Sequence, residues 1–294
     1  MAQPPVSIPV KHLRNGFALP VFGLGTWQMG GRTERDTAND DAADIQAIRA
    51  AIDIGITHID TAEVYANGHT EEIVAEAIKD YDRSQLLLVS KVHAEHLAYD
   101  DIQRACEASL RRLGTDYLDL YLAHRYNPNI PLKETIKGLN RLVDQGLVRS
   151  IGVSNFNQQH LKEAQALSNH PIVCDQVHYS LKFRQPELDG LLKYCQTEDV
   201  LLVAWRPVQK GVFGKRGIPI LDEMCEHYQR TPAQVTLNWL ISQPNVVTIS
   251  KMRQAEHLKD NLGAIGWQME TEDIERLRRD FPEQEAVSDS IPLG

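Results

Sequence analysis

Eight short apolar runs, separated by segments whose apolar residues recur at helical spacing, constrain this chain more than any other feature. The runs are Val21–Thr26, Ile56–Asp60, Leu86–Lys91, Tyr117–His124, Arg149–Asn155, Ile172–Val177, Val200–Trp205 and Val246–Ser250. Between most of them lie helical patterns: Ala43–Ile54, Thr70–Ile78, Asp101–Leu113, Pro131–Val143, Gln158–Leu167 and Glu187–Cys195. Strands that alternate with helices imply parallel β-α-β units, and continuous runs such as LLLV and VLLVAW imply strands buried on both faces. Eight such units close into a (β/α)8 TIM barrel, an α/β fold. An open doubly wound sheet would carry a glycine-rich turn between its first strand and helix. Here Gly23 and Gly25 form only part of GxGxxG, with Gln28 in the third position and the first helical pattern starting at Ala43.

With 294 residues, 42% of them apolar and 24% charged, the chain can bury one large core, and no linker or low-complexity run divides it. A single barrel domain over 1–294 is the simplest organisation. Asn15-Gly16, between Lys11–Leu13 and Phe17–Leu19, predicts an N-terminal β-hairpin before the barrel, closed by a tight type I′ turn. The polar stretch from Pro282 to Gly294 is expected to be loosely held. Cys106, Cys174, Cys195 and Cys225 are far apart and form no CxxC, which suggests neither zinc nor a disulfide framework and fits a reducing, cytoplasmic setting. The N-terminus has no apolar run of signal-peptide length, and no stretch is apolar enough to span a bilayer. A net charge of −9 with scattered basic residues speaks against nucleic acid as a partner. His93 and His96 show no metal-ligand spacing, so no metal is expected.

A barrel puts its active site at the C-terminal ends of its strands, so ionisable side chains where apolar runs stop are the candidates. Three consecutive strands supply them: Asp60, with Tyr65 just beyond it, then Lys91, then His124. Any one of these alone reads as a cap or a rim residue. Four different ionisable types at one end of three adjacent strands call for a chemical reason.

Carbonyl reduction gives one. It needs hydride on carbon and a proton on oxygen, and a phenol with an ordinary pKa of about 10 is a poor acid at neutral pH. Lys91 would lower the pKa of Tyr65, Asp60 would hold the lysine, and His124 would orient or protonate the carbonyl oxygen.

These residues stand in familiar surroundings. GITHIDTAEVY, with its five-residue step from Asp60 to Tyr65, resembles the signature of the aldo-keto reductases; LLLVSKV resembles that family's lysine strand and DYLDLYLAH its histidine strand, 33 residues on. The resemblance covers the whole chain and implies an NADPH-dependent carbonyl reductase with Asp60, Tyr65, Lys91 and His124 as catalytic residues. IGVSNF and DQV are similar to the segments that hold the nicotinamide carboxamide, which implies that role for Ser154, Asn155 and Gln176; their hydroxyl and amide groups can meet its donor and acceptor. VAWRPVQKG resembles the stretch that stacks an aromatic on the nicotinamide, here Trp205, where tyrosine is commoner. Arg206 is either a phosphate contact or a rim charge. Thr26, Pro207, Val208 and Gly211 belong to the same implied lining, while GVFGKRG lacks the spacing of a Walker loop.

SKMRQAEHLKDN resembles the adenosine-phosphate segment. The resemblance implies Lys251 at the 2′-phosphate of NADP, Asn261 at the adenine, and Asp260 in place of a neighbouring glutamate, with Met252 along the same segment. Ser250 stands where proline is usual and His257 where arginine is common. A neutral imidazole does not replace a guanidinium, so some use of NADH is allowed, and Arg253 is expected to compensate as a second cation. Loops after the fourth and seventh strands and the C-terminal tail look short, which predicts a wide, shallow pocket for a small aldehyde, dicarbonyl or keto sugar. Trp27 is placed in that pocket; Arg125 and Tyr126 either join it, Arg125 facing an acidic group, or cover the barrel edge. The rival readings are a cofactor-binding regulatory protein on the same barrel and a Schiff-base enzyme using Lys91.

Overall fold

The computed structural model describes residues 6–208 and 217–294. Residues Val10–His12 (β1) and Ala18–Pro20 (β2) pair antiparallel. The barrel then runs Phe22–Gly25 (β3), Asp41–Asp53 (α1), His58–Asp60 (β4), His69–Ile78 (α2), Leu87–Val92 (β5), Tyr99–Leu113 (α3), Leu120–Ala123 (β6) and Leu132–Asp144 (α4). It continues through Ile151–Ser154 (β7), Gln158–Leu167 (α5), Ile172–His178 (β8), Gln185–Leu188 (α6), Leu191–Thr197 (α7) and Leu201–Trp205 (β9). The last elements are Pro219–Tyr228 (α8), Pro232–Ile241 (α9), Val246–Ser250 (β10), Ala255–Leu262 (α10) and Thr271–Asp280 (α11). Strands β3 to β10 form a closed barrel of eight in which every pair is parallel, β10 closing on β3.

The apolar runs become strands because each is covered twice. Inside the barrel Val89, Leu120, Leu122, Val173, Leu201, Val203 and Val247 form one cluster; outside, a larger one fills the space beneath the helices. The hairpin's Leu13 and Leu19 join the inner cluster, so β1 and β2 plug the N-terminal end of the barrel. Lys11 fastens this plug by donating to the carbonyls of Gln243 and Val246.

Three expectations change. The hairpin does not turn through a two-residue type I′ loop, which would need positive φ at both central residues. Leu13 N–H donates to Phe17 O (2.8 Å) and Gly16 N–H to Leu13 O (3.0 Å), and of the Asn15-Gly16 pair only Gly16 has positive φ, +90°. This is a three-residue loop with glycine in the left-handed position. The pattern Glu187–Cys195 splits into α6 and α7 at Gly190, whose φ is +79°. The polar tail is anchored: Arg184 N–H donates to Glu285 O (3.0 Å), Glu285 N–H to Lys182 O (2.7 Å), Gly294 N–H to Asn155 O (3.0 Å) and Asn157 N–H to Gly294 O (2.8 Å). Backbone groups hold it, and these leave little trace in side-chain composition.

After β4 the chain makes a turn that sets Tyr65. Ala66, Asn67 and Gly68 are all left-handed, with φ of 49°, 54° and 89°. Glycine is required at 68 because a Cβ would lie 2.7 Å from Arg112 Nε. That guanidinium is itself pinned, with Nε 2.6 Å from Glu71 Oε2, while Glu71 Oε1 accepts from Ser90 Oγ (2.6 Å) beside Lys91. Glu71 is fully buried, and burial raises its pKa against the pull of Arg112.

Arg112→Ala would strand this carboxyl without its cation, with an expected loss of about 3–5 kcal/mol in urea unfolding; a loss under 1 kcal/mol would show that Glu71 needs no partner. Ala66→Gly relieves a left-handed residue that has a Cβ, and is expected to raise stability by about 0.5–1 kcal/mol after the entropic cost of glycine. A lower urea midpoint would mean that the turn is unstrained.

Candidate active site

The C-terminal ends of β4, β5 and β6 bring the four strand-end groups together. Asp60 ends β4, Lys91 lies in β5, His124 follows β6, and the turn after β4 returns Tyr65 over them. Lys91 Nζ donates to Asp60 Oδ1 (2.6 Å), to Thr61 O (2.8 Å) and, at the long distance of 3.4 Å, to Tyr65 Oη. The Lys91 and Asp60 side chains are 0% and 1% exposed. The Tyr65 ring sits edge-on to His124 (5.8 Å between centroids) and to Trp27 (4.9 Å), so Trp27 stands at the mouth beside the phenol.

Burial pushes the Tyr65 pKa up, and although Lys91 pulls it down, the net direction is upward. This reverses the expectation of a lowered phenol pKa. Withdrawing a phenolate from water costs more than the ammonium returns, because Asp60 is closer to that ammonium and offsets much of its field. Burial also opposes the charge on Lys91, but Asp60 and then Tyr65 outweigh it and raise its pKa. The His124 pKa lies well below the ordinary range, through burial first and the Lys91 charge second. At neutral pH Tyr65 is therefore a phenol, Lys91 an ammonium and His124 a neutral imidazole. His124 Nδ1 is buried without a hydrogen-bond partner, whereas Nε2 is not.

A second set of side chains supports Asp60, from the end of β3 and from β7, β8 and β9. Gln176 Nε2 donates to Asp60 Oδ2 (2.7 Å), Ser154 Oγ to Gln176 O (2.7 Å), and Thr26 Oγ1 to Asp60 O (2.9 Å). Asn155, left-handed at φ 58°, donates through Nδ2 to His124 O (3.0 Å) and Ser154 Oγ (2.9 Å), and its Oδ1 accepts from Trp205 Nε1 (3.2 Å). Ser154, Asn155 and Gln176 are thus brought together, engaged with one another and with the chemistry. Trp205 stacks on His178 (4.4 Å, 11°), which stacks on Phe183 (4.2 Å).

The tail closes this side. Arg206, at φ 54°, pairs with Asp289 at 3.3 Å, and His178 Nδ1 lies 2.8 Å from Ser288 Oγ. Arg206 stands at the rim, partly exposed and paired with the tail. Pro207 is buried and Val208 half-buried; Gly211 lies outside the described residues. Tyr126, half-buried, stacks on His160 of α5 at 3.8 Å and packs edge-on to Phe156, while Arg125 is exposed. His93 N–H and His96 Nδ1 both meet Glu63 Oε1. Among the described residues no group of three or more His, Cys, Asp or Glu could hold a metal ion, and no helix is long and apolar enough to cross a membrane.

Ser250, which ends β10, and Met252 beyond it are buried, Lys251 and His257 are exposed, and Asn261 is buried on α10. Asp260 is tied to α9, accepting from Gln234 Nε2 (3.0 Å) and Thr231 Oγ1 (3.2 Å). Arg253, expected as a second cation, carries a carboxylate partner in the structure. Its Nε lies 2.6 Å from Asp44 Oδ1, and its Nη2 donates to Asp44 Oδ2 (2.9 Å), Asn39 Oδ1 (2.9 Å) and Gln28 O (2.6 Å). Asp44, 1% exposed, went unnoticed in the sequence, yet its spacing to Ile48 and Ala51 on the buried face of α1 was a readable signal. Gln28, whose Oε1 accepts from Lys251 Nζ at 2.6 Å, carried no such signal.

The model of the aldo/keto reductase family matches residues 21–279. Among curated relatives, methylglyoxal reductase YeaE of Escherichia coli is 34% identical over 269 residues, 90% of this chain and 92% of that protein. Glyoxal reductase of Bacillus subtilis is 33% identical, over 90% of each chain. Among solved structures, a thermostable aldo-keto reductase in complex with the inhibitor epalrestat superposes with a TM-score of 0.88 at 45% identity, covering 92% of this chain and 99% of the other. An aldo-keto reductase of Klebsiella pneumoniae in complex with NADPH gives 0.82 at 36%, covering 96% and 98%. A family match running from the first barrel strand to the last helix, over the geometry described above, settles the membership: the chain belongs to the aldo/keto reductase family of oxidoreductases.

Proposed function

We propose that this protein reduces aldehydes or ketones to alcohols with NADPH, and that Tyr65 delivers the proton to the carbonyl oxygen. The observation that carries this reading is the buried line from Asp60 through Lys91 to Tyr65, with neutral His124 beside it. The bound cofactor would supply hydride to the carbonyl carbon. Everything else is work for the protein's own side chains.

The donor set fits such a cofactor. Ser154, Asn155 and Gln176 bring together a hydroxyl and amides that would exchange part of their mutual bonding for a carboxamide, and Trp205, braced by His178, offers an indole face for the nicotinamide. Lys251 is hydrogen-bonded to a neutral amide rather than a carboxylate, which leaves its charge for a phosphate. His124, kept neutral, holds its proton on the accessible Nε2 and donates it to the carbonyl oxygen, fixing that oxygen near the Tyr65 hydroxyl. As hydride arrives, negative charge grows on the oxygen and the phenolic proton moves to it. Lys91 stabilises the phenolate left behind, and Asp60 with Gln176 keeps the ammonium in place. Asp60 thus positions, Lys91 stabilises and Tyr65 donates.

Small dicarbonyls of the kind that methylglyoxal and glyoxal reductases act on are the proposed substrates, with Trp27 at the mouth beside Tyr65. Four buried, free cysteines accord with a cytoplasmic setting.

The test is loss of NADPH absorbance with methylglyoxal and glyoxal. Tyr65→Phe is expected to lower kcat by about 10²–10⁴-fold with the fold intact; a mutant that keeps its rate would sink the assignment, and cofactor that binds without being consumed would favour the regulatory reading. The pH profile gives a second check. Tyr65 must be protonated and Lys91 charged, and both pKa values are raised, so reduction should hold its rate from about pH 6 to 9 and decline only as pH rises past the ordinary phenol value of about 10. A decline centred near neutrality would point to a different proton donor.

A further inference from the structure

Lys251 Nζ reaches from the end of β10 to the loop after β3 and donates to Gln28 Oε1 at 2.6 Å. The carbonyl of the same Gln28 accepts from Arg253 Nη2 at 2.6 Å. Gln28 is thus clasped by both cations of the segment that follows β10. Its φ of 71° is a left-handed conformation that residues with a Cβ rarely adopt, the kind of local strain that persists only where surrounding contacts over-determine it.

The charges around this clasp are unequal. Asp44 carries Arg253 on both of its oxygens and accepts from Gly30 N–H as well, so only part of its field is left for Lys251. Arg32, exposed on the same loop, makes no ion pair among the described residues, and its charge is felt at Lys251. Three cations, Lys251, Arg253 and Arg32, therefore face a single carboxylate, on a chain whose net charge is −9. Burial first, and then the charges of Arg253 and Arg32, lower the Lys251 pKa, and the opposite pull of Asp44 does not offset them. His257 of α10 adds no permanent charge.

We propose that Gln28 is a residue that sets cofactor choice: its neutral amide holds Lys251 in position without cancelling its charge, so that a ribose 2′-phosphate becomes the missing anion. This rests on the NADPH reading above and assigns the discrimination against NADH to a side chain on the loop after the first barrel strand. A carboxylate at position 28 would make the same hydrogen bond, neutralise Lys251 and repel the phosphate. The ribose hydroxyl of NADH, by contrast, could donate to it.

The experiment is a binding titration, read by quenching of tryptophan fluorescence, of the parent, Gln28→Glu and Gln28→Met with NADPH and NADH, and with the fragments 2′,5′-ADP and 5′-AMP. Gln28→Glu is expected to raise Kd for NADPH and for 2′,5′-ADP by roughly tenfold or more while moving NADH and 5′-AMP by less than about threefold. Gln28→Met, which loses the hydrogen bond but adds no charge, is expected to weaken NADPH and 2′,5′-ADP by a smaller factor, about threefold, while leaving NADH and 5′-AMP unchanged, and circular dichroism checks that both variants fold. Equal weakening of all four ligands, or weakening of none, overturns the inference. So does a parent that binds NADPH no more tightly than NADH, an outcome that leaves the reductase reading standing. A parent that binds neither nicotinamide nucleotide overturns both.

Discussion

The Asp60–Lys91 pair is the interaction on which the rest of the site depends. Two charged side chains are almost entirely removed from water, at a desolvation cost that the 2.6 Å contact alone does not return. The remaining valences must be met, and they are: Lys91 donates also to Thr61 O and Tyr65 Oη, and Asp60 accepts from Gln176. Two of these partners arrive on the turn after β4 and the third on β8. A parallel barrel is what allows this, since it directs strands distant in sequence to deliver their C-terminal ends to one mouth.

The loops at that mouth carry strain that the barrel below must offset. Gln28 after β3, Ala66 and Asn67 after β4, Asn155 after β7 and Arg206 after β9 all have positive φ, and none is glycine. Each stands in or beside a hydrogen-bonded arrangement of the candidate site: Gln28 on Lys251, Ala66 next to Tyr65, Asn155 between His124 and Trp205, Arg206 on the tail. Strain of this kind is kept where a side chain must point against the backbone's preference. The strands supply rigidity, and the loops convert it into placement.

Electrostatically the mouth is divided. At one end Lys91 is matched by Asp60, His124 is held neutral, and burial raises the Tyr65 pKa, so the chemistry end is close to neutral apart from one compensated pair. At the other, Lys251 and Arg32 lack carboxylate partners among the described residues, and Arg253 is secured by Asp44. The first arrangement suits proton movement toward a growing oxyanion; the second suits a fixed anion.

Much of this was legible in the sequence. The eight apolar runs announced the barrel because strands covered on both faces leave no polar alternation, and Asp60, Tyr65, Lys91 and His124 stood out because each ends a run or follows one closely. Spacing along the chain determines those features, since they are local. The sign of the Tyr65 pKa, the pairing of Arg253 with Asp44, the anchoring of Glu285 and Gly294, and the clasp of Lys251 on Gln28 were not legible. They depend on how far water is excluded and on which groups 100 or 200 residues apart meet, as Gln28 and Lys251 do across 223 positions. By itself the sequence determined which residues could do chemistry and at which end of the barrel. Only the tertiary structure decided their charge states and partners, because desolvation and Coulomb interactions act through space rather than along the chain.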